Sequence, residues 1–468
     1  TWSESTSTTI NEGTEVEIYA SAEEGHNFVY WTKDGVEMIT QADYTYMMPS
    51  ENVTLVANFV EEQPIHFECP VFEQAVRDAK GYTGEATGPI YPSDVLGITS
   101  LYYQGRTPSR ETDAHHLIPE WEKGKRYHVP FNQETEDPEQ NMVPRAKITS
   151  LEGIQYLTNL TELHFGDNNV SDISPLQNLS NLTNLSFWAN SVSDISPLQN
   201  LSNLTSLSFG NNNVSDISVL QNLTNLTEVL FSGNSVSDIS PVQNLSNLNY
   251  LDFYENSVSD ISPVQNLTNL THLYFYYNSV SDISPVQNLT NLTHLYFYYN
   301  NVSDISPVQN LSNLDYLDFQ GNNVSDISVL QNLTNLPWLR FNNNNVSDIS
   351  ALQNLSNLGY LDFQGNNVSD ISVLQNLTNL GYLGFSGNNV SDISVLQNLT
   401  NLTEVWFNDN SVSDISPLQN LTNLTWLRFE GNNVSDISPL QNLTAMWALR
   451  FSSNQVIDIT PLQNMSNL

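Results

Sequence analysis

Four pairs of side chains recur 22 residues apart in the middle of this chain: His272 and His294, Tyr274 and Tyr296, Tyr276 and Tyr298, Tyr277 and Tyr299. Tyr250, Tyr254, Tyr316, Trp338, Tyr360 and Tyr382 extend the set at the same spacing, and Asp252, Asp318 and Arg340 stand among them. These residue types supply contact chemistry. Tyr, Trp and Arg dominate binding hot spots, because they offer a large area at little entropic cost and a polar tip for orientation. Bond-making chemistry has no comparable signature. The sequence shows no Ser/His/Asp triad, nucleophile elbow or phosphate loop. Carboxylates such as Asp252 and Asp318 fall three repeats apart on an open surface, which neither excludes water nor shifts their pKa much. The chain therefore reads as a non-enzyme with no cofactor, and these residues as a ligand-binding face.

The elements that position them are repeats. Fourteen consecutive 22-residue units run from Leu160 to Asn467; one reads LTHLYFYYNSVSDISPVQNLTN, Leu270 to Asn291. This period and this spacing of Leu and Asn define a leucine-rich repeat, an open curved solenoid whose concave face is a parallel sheet. The expected class is α/β, with short 3₁₀ or α turns on the convex side. Counting from the opening Leu, positions one, four and six point into the core. Positions three, five and seven alternate to the concave face. Every basic residue of the array (Arg340, Arg428, Arg450) and every histidine (His164, His272, His294) falls on that face. Strand propensity and duplication of the Leu270 and Leu292 units would also enrich tyrosine there. The aromatics continue beyond the duplicated pair, however, through Tyr316, Trp338, Tyr360 and Tyr382, as a contact site of several turns would.

Other columns are structural. Position six is Phe in all fourteen units, Phe165 to Phe451, and predicts a stacked spine. Position nine is Asn throughout, Asn168 to Asn454, where an inward amide can satisfy backbone groups leaving the strand. In Asp172 to Gln177, Ser174 suits a helix N-cap, Pro175 the first helical position, and Gln177 a capping box. A calcium ladder along the Asp column would need about six to eight oxygens per ion, and each unit offers one carboxylate. Capping accounts for the column better.

The formal charge is −38, from 51 acidic and 13 basic residues, which excludes a nucleic-acid binder and disfavours an anionic membrane as partner. The repeat supplies one fixed Asp per unit, Asp172 to Asp458, so much of the charge is repeat grammar. A lone cysteine, Cys69, builds neither disulfide nor thiolate metal site. No run is apolar enough to span a bilayer, and no signal peptide opens the chain. Both ends interrupt a pattern, which reads as the ordered part of a longer exported protein.

Residues 1–62 alternate with period two and predict a small β domain. Residues 63–105 predict a cap, with Phe72, Ala75, Val76 and Ala79 at helical spacing and a first strand at Ile98–Tyr103. Residues 106–147 interrupt the pattern as an insertion, and the solenoid occupies 148–468. The insertion carries Asp113, His115, His116, Glu120, Trp121, Glu122 and His128. Without fixed ligand spacing these are weak as a zinc site, and a loop overhanging the concave face is the better expectation.

These parts together resemble the internalin type of bacterial surface protein. The β domain is similar to a divergent internalin B-repeat through Glu12-Gly13-Thr14-Glu15-Val16, Phe28-Val29-Tyr30-Trp31 and Met48-Pro49-Ser50-Glu51-Asn52-Val53-Thr54-Leu55. The cap resembles the internalin start through Val71-Phe72-Glu73-Gln74-Ala75-Val76-Arg77 and Ile148-Thr149-Ser150-Leu151-Glu152-Gly153-Ile154. The repeats match through Asn-x-Val-Ser-Asp-Ile-Ser-Pro-Leu. Two departures are Phe for the usual Leu at position six, and a β domain that precedes the repeats. The resemblance implies an extracellular location, on the bacterial surface or cell wall, and adhesion to a protein on another cell. It does not specify the ligand. A glycan that stacks on the aromatic face, or self-association into a surface layer or filament, remains open on the sequence.

Overall fold

The computed structural model describes residues 8–81, 88–104 and 146–468, with backbone only at 106–108 and 142–144. Two compact units divide at residue 182. In the first, five short strands precede a helix: β1 (Glu15–Ile18), β2 (His26–Lys33), β3 (Val36–Ile39), β4 (Tyr44–Met47) and β5 (Leu55–Glu61). β1 pairs with β4, and β2 lies between β3 and β5, all antiparallel. Trp31 is buried, and its indole N–H donates to Ala42 O at 3.1 Å.

Helix α1 (Pro70–Ala79) starts with proline, whose missing N–H costs nothing in the first turn. It buries Phe72, Ala75 and Val76. Arg77 holds it through Glu73, at 2.5 Å, and Gly88 O, at 2.6 Å. A one-turn helix α2 (Pro92–Val95) leads to β6 (Ser100–Tyr102). The insertion leaves and returns through an antiparallel pair, β7 (Arg106–Pro108) and β8 (Met142–Pro144). Its candidate ligands, Asp113, His115, His116, Glu120, Trp121, Glu122 and His128, lie outside the described residues. β9 (Glu162–His164) then pairs parallel to β6.

The second unit is built from thirteen three-residue strands, β10 (Asn184–Ser186) to β22 (Ala448–Arg450). Each pairs in parallel with the strand 22 residues on, so like positions stand side by side. Positions one, four, six, eleven, fourteen, seventeen and twenty of each turn but the last fill the core; in one turn these are Leu292, Leu295, Phe297, Val302, Ile305, Val308 and Leu311, all at most 1% exposed. The Phe rings from Phe187 to Phe451 stack at about 5.5–6.0 Å between centroids.

The Asn column ties each turn to its neighbour. The Asn212 amide donates to Phe187 O, Phe209 O and Gly210 O, and its Oδ1 accepts from Val192 N–H at 2.9 Å. A second asparagine ladder runs along position 22, where Asn225 Nδ2 donates to Ser202 O at 2.9 Å.

The capping expectation is corrected. The convex turns are 3₁₀, and Ser174 is the first residue of its turn, not the cap. Asp172 caps instead: Oδ1 accepts the Ser174 N–H at 2.8 Å and Oδ2 its hydroxyl at 3.0 Å. A 3₁₀ turn is too short for Gln177 to reach back. The backbone N–H of Ser240 likewise holds Asp238 below the usual carboxylate range. Asp282→Ala removes the same two bonds from Ser284. It is expected to lower stability by about 1 kcal/mol, read as a shift in urea midpoint.

Position eight carries a constraint invisible in the strand pattern. In all fourteen repeats it is left-handed, from Asp167 (φ 55°) to Ser453 (φ 55°). Five of these positions are glycine, among them Gly321 and Gly365.

Candidate functional site

The face opposite the core is covered by four side-chain columns. Position three forms a run of seven rings. Tyr250, His272, His294 and Tyr316 follow at 5.2, 4.2 and 4.5 Å between neighbours. Trp338, Tyr360 and Tyr382 continue at 6.0, 4.8 and 4.3 Å. Position five places Tyr274 on Tyr296 at 4.7 Å. Position seven stacks Tyr254, Tyr276 and Tyr298 at 4.2 and 4.0 Å. Position eight stacks Tyr277 on Tyr299 at 4.6 Å. Edge contacts join the columns, as between Tyr277 and Tyr298. The cause is the repeat itself: strands separated by one hydrogen-bond spacing hold identical side chains at ring-stacking distance.

This packing changes which tyrosines meet solvent. Tyr274, Tyr276 and Tyr296 are buried at 2%, 5% and 4% exposure, and Tyr382 is also buried. The sequence places all four on an exposed face; there Tyr274, Tyr276 and Tyr296 form a second, small core beneath their neighbours. Tyr250, Tyr254, His272, His294, Tyr298, Tyr316, Trp338 and Tyr360 are half-buried. Tyr277 and Tyr299 project furthest, at 46% and 38%. Both have positive φ, at 53° and 52°, in a region that costs a side-chain-bearing residue roughly 1–2 kcal/mol. Tyr299 lies over Gly321, where an added Cβ would stand 2.5 Å from the ring, and its hydroxyl accepts from Gln320 Nε2 at 2.7 Å.

The face is uncharged at its aromatic centre. Burial pushes His272 down to about 4, so its imidazole is neutral at physiological pH. The Thr271 hydroxyl donates to Asn249 O, which leaves Nδ1–H of His272 to donate to Thr271 Oγ1 at 2.9 Å. Burial raises the tyrosine hydroxyls Tyr274, Tyr276 and Tyr296, so they stay protonated.

Beside the rings lies a buried ionic row. Arg340 sits between Asp318, 3.6 Å from Nη1, and Asp362, 3.9 Å from Nε. The expectation that these carboxylates lie open to water with little pKa shift is corrected: burial pushes Asp318 up to about 7, opposed by Arg340 and by the Gln320 N–H. Burial also raises Asp362, opposed by the side chains of Asn342 and Gln364. Asp252 is buried under the tyrosines at the other end. Among the described residues no group of three or more His, Cys, Asp or Glu side chains stands close enough to hold a metal. The arrangement offers broad apolar contact with neutral hydrogen-bonding tips, which is recognition chemistry.

Two features escaped sequence reasoning. The left-handed position was signalled by its Gly, Asn and Asp residues, including Asn211, Gly233, Asn343 and Asp409. The rings also continue past Tyr382, through Trp406, Trp426 and Trp447, an extension that the array's Trp residues signal directly.

A parallel sheet of repeats with one aromatic face defines a leucine-rich-repeat interaction scaffold. Residues 1–63 match the divergent InlB B-repeat domain. Residues 158–200, 180–222, 224–266 and 268–310 match leucine-rich repeats, and 339–457 the BspA-type leucine-rich repeat region. An internalin (inlF) from Listeria monocytogenes is similar at 35% identity and TM-score 0.68, over 78% of this chain and 96% of that one. The chain belongs to the internalin family of leucine-rich-repeat proteins. Two further structures share the fold alone. A Leptospira interrogans leucine-rich-repeat protein is 23% identical with TM-score 0.62, over 66% of this chain and 82% of that one. The functional domain of InlJ from Listeria monocytogenes is 20% identical with TM-score 0.61, over 81% and 77%. No curated protein matches the sequence. No catalytic family is indicated, and among the described residues no helix is long and apolar enough to cross a membrane.

Proposed function

We propose that this protein is an extracellular recognition protein of the bacterial surface or cell wall that adheres to a protein ligand. The contact face would be formed by Tyr250, Tyr254, His272, Tyr277, His294, Tyr298, Tyr299, Tyr316, Trp338, Arg340 and Tyr360. Tyr274, Tyr276, Tyr296, Tyr382, Asp252 and Asp318 would hold that face rigid from beneath. Family membership supports the location. One observation carries the contact role: Tyr277 and Tyr299 keep large exposed rings on a left-handed backbone that seven of the twelve other repeats assign to glycine or asparagine and none to an aromatic residue. Folding alone favours the smaller residues there.

The test is Tyr277→Gly with Tyr299→Gly. Glycine relieves two left-handed backbones, while the double substitution removes one ring stack, three edge contacts and the Gln320–Tyr299 hydrogen bond, so terms of a few kcal/mol on each side oppose one another and the net change in stability is small. Wild type and variant are compared on a panel of purified extracellular protein domains and on a glycan array. Protein binding that falls at least tenfold in the variant, with unchanged melting temperature, is the expected result. Unaltered binding removes these tyrosines from the site. Glycan binding without any protein ligand replaces the reading with sugar recognition.

A further inference from the structure

Past the tyrosines, the same face changes character. Trp406 meets Tyr382 edge-on at 5.2 Å, and Trp426 meets Trp406 at 5.1 Å. The Arg428 guanidinium lies 5.2 Å from the Trp406 ring. Trp447, exposed at 53%, closes the group against Trp426 at 5.1 Å. Trp406 is only 5% exposed.

The hydrogen-bonding inventory of this cluster is lopsided. Trp406 Nε1, Trp426 Nε1 and Arg428 Nε are buried donors without an acceptor among the described residues. An indole N–H in a buried place ordinarily finds a partner. The nearby carboxylate Glu430 pairs with the outer end of Arg428, 3.3 Å from Nη2, and takes the Ser452 hydroxyl at 3.4 Å, which leaves the indole N–H groups and Arg428 Nε unserved. Glu404, half-buried, is the neighbour of Trp426 in the strand register. Arg428 stands opposite Arg450 in the β21 (Trp426–Arg428) to β22 register, and Arg450 is exposed with no ion pair among the described residues. Like charges placed directly opposite repel. These two arginines are two of only three basic residues in the array. An exposed arginine without an anion, beside a second arginine and unsatisfied N–H groups on an acidic protein, is complementary to a carboxylate.

We infer that Trp406, Trp426, Arg428 and Arg450 form a subsite for the carboxylate side chain of an acidic peptide segment. The carboxylate seats against the two arginines, beside the buried N–H groups, while Trp447 covers the adjoining chain. The choice of a peptide rests on the proposed protein ligand. The Tyr382–Trp406 contact makes the subsite continuous with the aromatic face, so one extended segment reaches both.

The test uses the full chain labelled with 5-fluorotryptophan, whose eight tryptophans give separate ¹⁹F signals. It is titrated with N-acetyl-tetraglutamate amide, its tetraglutamine counterpart, and glucuronic acid. Tetraglutamate is expected to move the Trp406 and Trp426 signals and leave Trp31 in place; tetraglutamine moves none. Arg428→Gln with Arg450→Gln weakens the response at least tenfold. Exposed Arg450→Gln alone weakens it measurably, which keeps the test meaningful if the double variant is perturbed. Equal response to tetraglutamine, no response to tetraglutamate, or indifference to the arginine variants overturns the subsite. A response to glucuronic acid alone overturns it in favour of an acidic sugar. Tyr277→Gly with Tyr299→Gly leaves the titration unchanged, so failure of the aromatic-face reading is distinguishable from failure of this one.

Discussion

Replacing Arg340 with methionine is expected to destabilise the solenoid by about 3 kcal/mol above neutral pH and by clearly less in mild acid. The arginine lies between two carboxylates whose side chains are 5% and 1% exposed. Its stem fits a methionine, so the packing loss is small. The charge loss is not, because Asp318 and Asp362 then share a buried row with no cation. The cost sits at the low end of that for a broken buried pair because Arg340 itself keeps 20% of its side chain in water. The sign of the pH effect follows from linkage. Burial already raises Asp318 from 3.8 to about 7, and Asp362 in the same direction. A carboxyl raised in the folded state binds protons more tightly there than in the unfolded chain. Its contribution is therefore fully present below the unfolded value near 4 and is lost as pH rises through the folded value. Removing Arg340 raises both folded values further and widens that window upward. Urea midpoints of wild type and variant at about pH 5 and pH 8 measure the difference. A loss that is equal at both values would mean that Arg340 does not act through the charges of Asp318 and Asp362.

The fold was legible because its determinants are single residue types at a fixed period. Fourteen phenylalanines at one position can only stack, and fourteen asparagines at another meet the same unpaired carbonyls each time. Three details were not legible, each for a physical reason. Ser174 has the identity of a cap, but whether it caps depends on turn geometry, and a 3₁₀ turn hands that task to Asp172. The left-handed backbone at position eight is hidden because Tyr277, Tyr299 and Glu255 occupy it as well as glycine. The burial of Tyr274 is hidden most deeply. Period-two reasoning assigns a residue to the core or to the solvent face, and Tyr274 is on the solvent face, yet its neighbours on three strands shut it from water.

That second aromatic layer bears on recognition. Under the proposed function a ligand would meet rings that are already stacked, so little side-chain entropy would be lost on binding. Neutral His272 and protonated tyrosines also need no counter-charge to be desolvated. Fourteen of the 51 acidic residues lie away from this face, in the exposed Asp column that caps the convex turns. The aromatic face proposed for contact and the charged Asp column thus lie at positions only a few residues apart in the repeat.

Asn300→Leu is expected to break this continuity at one point. Leucine nearly matches asparagine in shape, so the substitution isolates the hydrogen bonds. Asn300, 7% exposed, donates to Phe275 O at 3.0 Å and Phe297 O at 3.1 Å and accepts from Val280 N–H at 2.9 Å. Those groups have no route to water under the Phe spine. Each buried orphan costs roughly 1–3 kcal/mol, which puts the variant at about 3–5 kcal/mol once partial relaxation is allowed. Two of the three bonds reach the preceding turn, so the loss falls on the coupling between turns as well as on one turn's own stability. A repeat array is held together by such nearest-neighbour terms. When one weakens by this much, the array is expected to unfold in two steps, with the turns on either side of residue 300 melting separately. Hydrogen exchange across the unfolding transition measures this through the amides of Phe253 and Phe341, one on each side. Their joint loss of protection in a single step, at the wild-type midpoint, would show that the asparagine ladder does not couple the turns.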